Sequence, residues 1–278
     1  MNIFRCTLFR CTLLGVFSLM LCSSASAHKI WLNPADHSPE PGSTVEIGIG
    51  WGHKYLADRT HEELKKGMPE KIQAVDPDGK TVELTKIADD RYSLEVPKPG
   101  AYLIMTKGKS GFFTTTPEGR KWGNKTEIAD AVKCTSYHLS GKTVIMVGNS
   151  EKGFDRATGQ TIELLPLTDP GQLKKGDTLK VRLLLDGKPV PNVLLKAAYA
   201  GFEKAEKEEP GHAAPADKKK KEDKPFPAEA TSDARGEADL KLEHSGYWMI
   251  SLSHKPPYPD TAVCDQYMYN ATFTFQVQ

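Results

Sequence analysis

After residue 28 the chain is a succession of short β-branched or alternating runs, each closed by Gly, Pro or Asp, and that punctuation commits it to strands. The runs cover 44–49, 71–75, 81–84, 92–96, 101–106, 143–147, 161–165, 178–185, 194–200, 237–242, 247–254 and 271–277. Turn chemistry separates them: Asp76-Pro77-Asp78-Gly79, Pro97-Lys98-Pro99-Gly100, Asp186-Gly187-Lys188-Pro189 and Asp233-Ala234-Arg235-Gly236. In such tetrads an Asp side chain can accept from the backbone two residues on, and Gly takes conformations closed to other residues. The spacing favours antiparallel sandwiches over βαβ units. Helix signals are confined to 60–66, where Thr60 could cap a turn with Glu63 three residues on, and to 125–132.

The expected fold is therefore all-β, as two β-sandwich domains. At 278 residues, 38% hydrophobic and 26% charged, the chain has material for two ordinary cores. Residues 149–159 are rich in turn formers and charge, which places the boundary near 162, between an N-terminal sandwich at 28–162 and a C-terminal one at 163–278. The second part reads as seven strands, the size of an immunoglobulin-like sandwich. It is interrupted at 203–224 by seven Lys and seven Asp or Glu with no large apolar residue, the composition of a solvated loop. Within it, Lys218 to Lys221 reads as part of a charge-balanced tip rather than a polyanion site.

Residues 1–27 have the layout of a secretory signal: Arg5 and Arg10, an apolar run from Leu13 to Leu21, then Ser23-Ser24-Ala25-Ser26-Ala27. The run is too short to span a bilayer, and no later segment approaches that length, so a soluble periplasmic protein is expected. Leu21 before Cys22 argues against lipidation. Losing the two arginines with no acidic residue turns the formal charge from +1 to about −1. Neither nucleic acid nor an anionic membrane is an expected partner of so balanced a chain.

Export also bears on the cysteines. Cys6, Cys11 and Cys22 leave with the signal, and Cys134 and Cys264 remain as an even pair in a compartment that permits disulfides. A bond between them is expected; two buried thiols are the alternative.

Signal cleavage gives His28 its interest. A cut after Ala27, which best satisfies the small-residue rule, makes His28 the first residue, so that its α-amine and imidazole can close on one metal ion as half of a histidine brace. A cut after Ala25 leaves Ser26-Ala27-His28, whose amine, two amides and imidazole suit square-planar Cu(II) or Ni(II); a cut after Ser26 leaves Ala27-His28 and one donor fewer. Reference pKa values of about 7.7–8.0 for the amine and about 6.5 for imidazole let both give up protons to a metal near neutral pH. A further donor must come from elsewhere. His37, His53, His61, His138, His244 and His254 are available, and His53 stands out because it closes the glycine-rich Gly48-Ile49-Gly50-Trp51-Gly52. The expected metal ligands are His28 and His53.

Enzymatic chemistry finds no support: there is no H-E-x-x-H, no G-x-S-x-G elbow and no phosphate loop, and Asp89 and Asp90 sit in a turn pattern. No catalytic role is expected. Trp31, Trp51, Trp122 and Trp248 read chiefly as core anchors, although a sugar platform is the other use of such residues.

Several stretches together resemble a known family. They are Ala27-His28-Lys29-Ile30-Trp31-Leu32-Asn33-Pro34, the Pro41-Gly42 turn, residues 162–170 (IELLPLTDP), residues 176–191 (GDTLKVRLLLDGKPVP), Thr231-Ser232-Asp233-Ala234-Arg235-Gly236 and Gly246-Tyr247-Trp248. The chain resembles the bacterial periplasmic family described as a cobalt/nickel transport periplasmic component. The resemblance implies an N-terminal β-sandwich followed by an immunoglobulin-like or carboxypeptidase-regulatory-like one, with the amino-terminal His near the metal. In the related nickel-transporter component the chelating His follows the terminal residue, so a cut directly before His28 departs from that geometry. The expected function is then capture of a divalent transition metal, nickel or cobalt first and copper next, for a membrane metal transporter. The alternative is a metal-free scaffold that meets carbohydrate or another surface. An oxidative copper enzyme would need a second His facing His28.

Overall fold

The computed structural model describes residues 28–52, 64, 68–202 and 225–278. The expected leader at 1–27, the turn expected at 60–66 apart from Leu64, the charged loop expected at 203–224, and His53, His61 and His212 lie outside them. The first half contributes β1 (Lys29–Pro34), β2 (Ser43–Gly52), β3 (Lys71–Val75), β4 (Thr81–Val82), β5 (Thr85–Ala88), β6 (Arg91–Val96), β7 (Gly100–Lys107), β8 (Gly111–Thr116), β9 (Gly119–Trp122) and β10 (Lys133–Val147). The second contributes β11 (Ile162–Pro166), β12 (Thr178–Leu185), β13 (Lys188–Pro189), β14 (Leu194–Tyr199), β15 (Ala228–Thr231), β16 (Glu237–Lys241), β17 (Gly246–His254) and β18 (Gln266–Val277). Among the described residues the helical content is one 3-10 turn, Pro170–Gln172. The class is all-β.

Three sheets carry these strands. A small sheet runs β1-β2-β6-β5, and another joins β11, β12 and β13 with β16 on the far edge of β12. Between them lies a ten-stranded sheet, β15-β14-β17-β18-β10-β7-β3-β4, with β8 and β9 attached through β10. Alternation explains why its middle is buried on both faces. In β7, Tyr102 and Ile104 join the core beneath the β1–β2 sheet, whereas Ala101, Leu103 and Met105 join the core beneath the β11–β12 sheet. In β10, Ile145 and Val147 face the first core, and Val144 and Met146 the second.

β18 alternates Phe and Thr for the same reason. Phe273 and Phe275 are fully buried in the second core. Thr272 and Thr274 point the other way and donate to the Ile30 and Leu32 carbonyls of β1 at 2.7 and 2.6 Å. The hydroxyls thus satisfy buried backbone acceptors that an apolar residue would orphan.

β10 and β18 pair in parallel, from Thr135 opposite Gln266 to Thr143 opposite Thr274, and so join the two halves in one sheet. At the start of this pairing Cys134 and Cys264 form the expected disulfide, their Cα atoms 4.9 Å apart. Asp265 lies between: it accepts from the Cys134 amide at 2.7 Å and pairs with Lys125.

The helix expected at 125–132 does not form. Asn124 accepts from the Thr126 amide and hydroxyl, and Glu127 reaches back to the Asn124 amide, which is a capping box in all but the helix that should follow. The chain instead makes one turn, with Glu127 and Ile128 both donating to the Asn124 carbonyl, and Asp130 adopts a positive φ of 56°. Tertiary bonds decide the outcome, because the Lys125 amide donates to the Val263 carbonyl and its ammonium to the Thr261 carbonyl.

Candidate metal centre

β1 and β2 pair antiparallel with Lys29 opposite Gly52, Ile30 opposite Trp51 and Trp31 opposite Gly50. Period-two alternation therefore puts His28 on the same face as Ile30, Leu32 and Trp51, the face toward the first core. His28 and Trp51 are diagonal neighbours across the pair, and their rings stack with centroids 5.0 Å apart and planes inclined by 10°. The His28 side chain is half-buried. Stacking engages the π face of the imidazole, whereas a bond to a metal is made in the ring plane, so the two are compatible.

Two glycines shape this end of the pair. A Cβ on Gly50 would lie 2.1 Å from the Trp31 indole, so only glycine lets that ring cross β2. Trp31 thereby reaches the opposite face, where it packs with Met249, and the neighbouring Lys29 donates to Ser251 at 3.2 Å. Gly52 has a φ of 134°, so the chain leaves β2 by a bend that favours glycine. His53 is the next residue and lies outside the described ones.

The other histidines go elsewhere. His37 is buried, with Nδ1 2.8 Å from the Val144 carbonyl; burial pulls its pKa down to about 4, against the opposing pull of that bond and of Asp36. His138 sits on β10 between Tyr267 and Tyr269, and burial, aided by Lys107, lowers its pKa as well. His244 stacks on Tyr199 at 4.1 Å, and His254 closes β17, where burial lowers its pKa. Among the described residues no three His, Cys, Asp or Glu side chains gather as a metal cluster. Of the tryptophans, Trp31, Trp51 and Trp248 are buried, and Trp122 is exposed.

Sequence reasoning overlooked Trp51 as the residue that orients His28. The signal was available: had β1 been recognised as a strand, its register with β2 would have set the two rings on one face.

Residues 25–256 match a family described as a domain of unknown function, DUF4198. The chain belongs to this family. The match begins just before the expected cleavage point and ends short of β18. The description of DUF4198 names no metal, ligand or transport step. Among curated proteins none matches this DUF4198 chain. Solved structures similar to it include the D0-D1 domain of intimin, at 10% identity over 90% of this chain and 100% of that one, with a TM-score of 0.21. A DUF4785 family protein from Legionella pneumophila matches at 11% identity over 87% of this chain and 54% of that one, with a TM-score of 0.22. The native conformation of Escherichia coli alpha-2-macroglobulin matches at 11% identity over 92% and 14%, with a TM-score of 0.21. At such scores the fold is read from the chain's own sheets. Among the described residues no helix is long and apolar enough to cross a membrane.

Proposed function

We propose that this is a periplasmic protein that captures a divalent transition metal, nickel or cobalt first and copper next, and passes it to a membrane transporter. The cargo is held by the α-amine and imidazole of His28, once the leader has been removed after Ala27, and by His53. The observation that carries the reading is the stack of His28 on Trp51 at the end of the strand pair, where the next residue in the sequence is His53. Two nitrogen donors from one residue form a chelate, and a ring held by a neighbour loses less freedom on binding than a free terminus would. Imidazole and amine nitrogens suit nickel, cobalt and copper, and the affinity order puts Cu(II) ahead of the others in vitro whatever the cellular cargo.

Mass spectrometry of the exported protein fixes the donor set, and a mature chain starting at His28 is the expected result. Titration of that protein with Ni(II), Co(II) and Cu(II), read by calorimetry and by quenching of Trp51, is then repeated on His28→Ala and His53→Ala. Each substitution should weaken binding at least tenfold. Unchanged affinity in His28→Ala overturns the proposal.

A further inference from the structure

A second candidate site lies on the opposite face of the molecule's central sheet from the His28 end, and it draws on none of the residues assigned to the metal. A cavity of about 260 Å³ opens where the β11–β12 sheet stops short of covering β3, β7, β10 and β18. That is far more than the about 10–15 Å³ a single water needs, and just under the range of about 300–1,000 Å³ for small-molecule sites. We infer that it binds an acidic monosaccharide, a pyranose ring laid against Tyr269 and His138 with its carboxylate held by Lys71 and Lys107.

Register brings the parts together. Lys71 opposes Lys107, Lys107 opposes Ser140, and His138 opposes Tyr269, so two adjacent rows of one sheet face supply cations, a hydroxyl and two rings. The rings lie 5.0 Å apart at 30°, and Tyr267 stacks behind Tyr269 at 5.2 Å. His138 and Tyr269 make this side of the cavity aromatic, an apolar surface on which the C–H groups of a sugar can pack. Burial holds His138 below its usual pKa, so the wall is uncharged at neutral pH.

The lysines are the informative pair. Like charges directly opposite one another on neighbouring strands destabilise a sheet unless an anion stands between them. No Asp or Glu lines the cavity among the described residues. Glu70 approaches Lys107 from outside at 3.6 Å, with both side chains half-exposed, and offsets one charge only in part. Beneath the lysines the Ser140 hydroxyl is buried without a hydrogen-bond partner, and Gln160 spends its amide on two long contacts, 3.5 Å to the Thr106 carbonyl and 3.4 Å to that of Gly141. Both groups could bond sugar hydroxyls.

The remaining wall is rigid. Glu163, buried and paired with Lys142 at 2.5 Å, accepts from the Thr158 amide at 2.8 Å and the Gly159 amide at 3.2 Å, which fixes the segment that carries Gln160. A preformed wall reduces the ordering that binding requires. Asp186 lies close enough on the ring side to help raise the Tyr269 phenol, so a carboxylate is favoured at the lysine end.

The test is a titration of the mature protein with glucuronate in chelator-treated buffer, read by ligand-observed NMR, with glucose and benzoate as comparators. Saturable glucuronate binding is expected, at least tenfold tighter than either comparator. Lys71→Gln and Lys107→Gln should each weaken it several-fold. Glu70→Gln, which removes the competitor for Lys107, should strengthen it, an effect that damage to the fold cannot mimic. His28→Ala should leave it unchanged, which separates this site from the metal. Absence of binding, loss of the preference over glucose or benzoate, or indifference to both lysine variants overturns the inference.

Discussion

His37 has no room to carry a proton. Its ring is enclosed, donates from Nδ1 to the Val144 carbonyl, and is held at a pKa of about 4 against an ordinary 6.5. Between those values the unfolded chain binds more protons than the folded one, so the contribution is complete above about pH 6.5 and is lost as the pH falls through 4. The loss amounts to about 3 kcal/mol at the acid end. Urea midpoints should therefore fall between pH 7 and pH 4.5 in the wild type, and fall less in His37→Phe. A second buried pair, Lys142 with Glu163, is 2% exposed on both sides. Removing one partner strands the other in the interior, so Lys142→Met should cost about 3–5 kcal/mol in a denaturation midpoint. The double variant Lys142→Met/Glu163→Met should recover part of that, though not the bonds Glu163 makes to Thr158 and Gly159.

Strand β1 is where local pattern and tertiary role diverge. It reads Lys-Ile-Trp-Leu-Asn-Pro, without the Gly and Asp brackets that mark the other strands, and so it escapes a search by punctuation. Yet its residues bury against both neighbouring layers. Gly50→Ala should act here, because a methyl group cannot coexist with the Trp31 ring. A loss of about 1–3 kcal/mol is expected, with a changed Trp emission, both read in one thermal melt. The strands with clear alternation and turn residues, β3 and β12 among them, were legible residue for residue. β10 was legible only over its last five residues, since Cys134 to Lys142 is mostly small and polar and owes its strand geometry to β8, β7 and β18 on either side. The turn at 124–132 failed in the opposite direction: its capping residues are helical by local preference and are overruled by bonds to 261–265. Of the proposed metal ligands, His28 could be singled out from the expected leader alone. Its ring partner could not, because that partner is set by register.

At the scale of the whole molecule, the disulfide and the parallel pair do one job, tying the two halves along a single seam. The bond closes a loop of 130 residues, for which chain entropy suggests about 5 kcal/mol. Cys134→Ser/Cys264→Ser should lower the unfolding free energy by up to that amount without altering the far-UV spectrum, since β10 and β18 stay paired through their backbones. Truncation after residue 256, where the family match ends, is a harsher test. It removes β18 from between β17 and β10, and a cooperative thermal transition should vanish. The same seam dictates an order of events during folding. Until β18 docks, β10 presents an open edge in the middle of the sheet, and its partner stands far along the chain. A chaperone able to shield β10 in that interval should raise the yield on refolding.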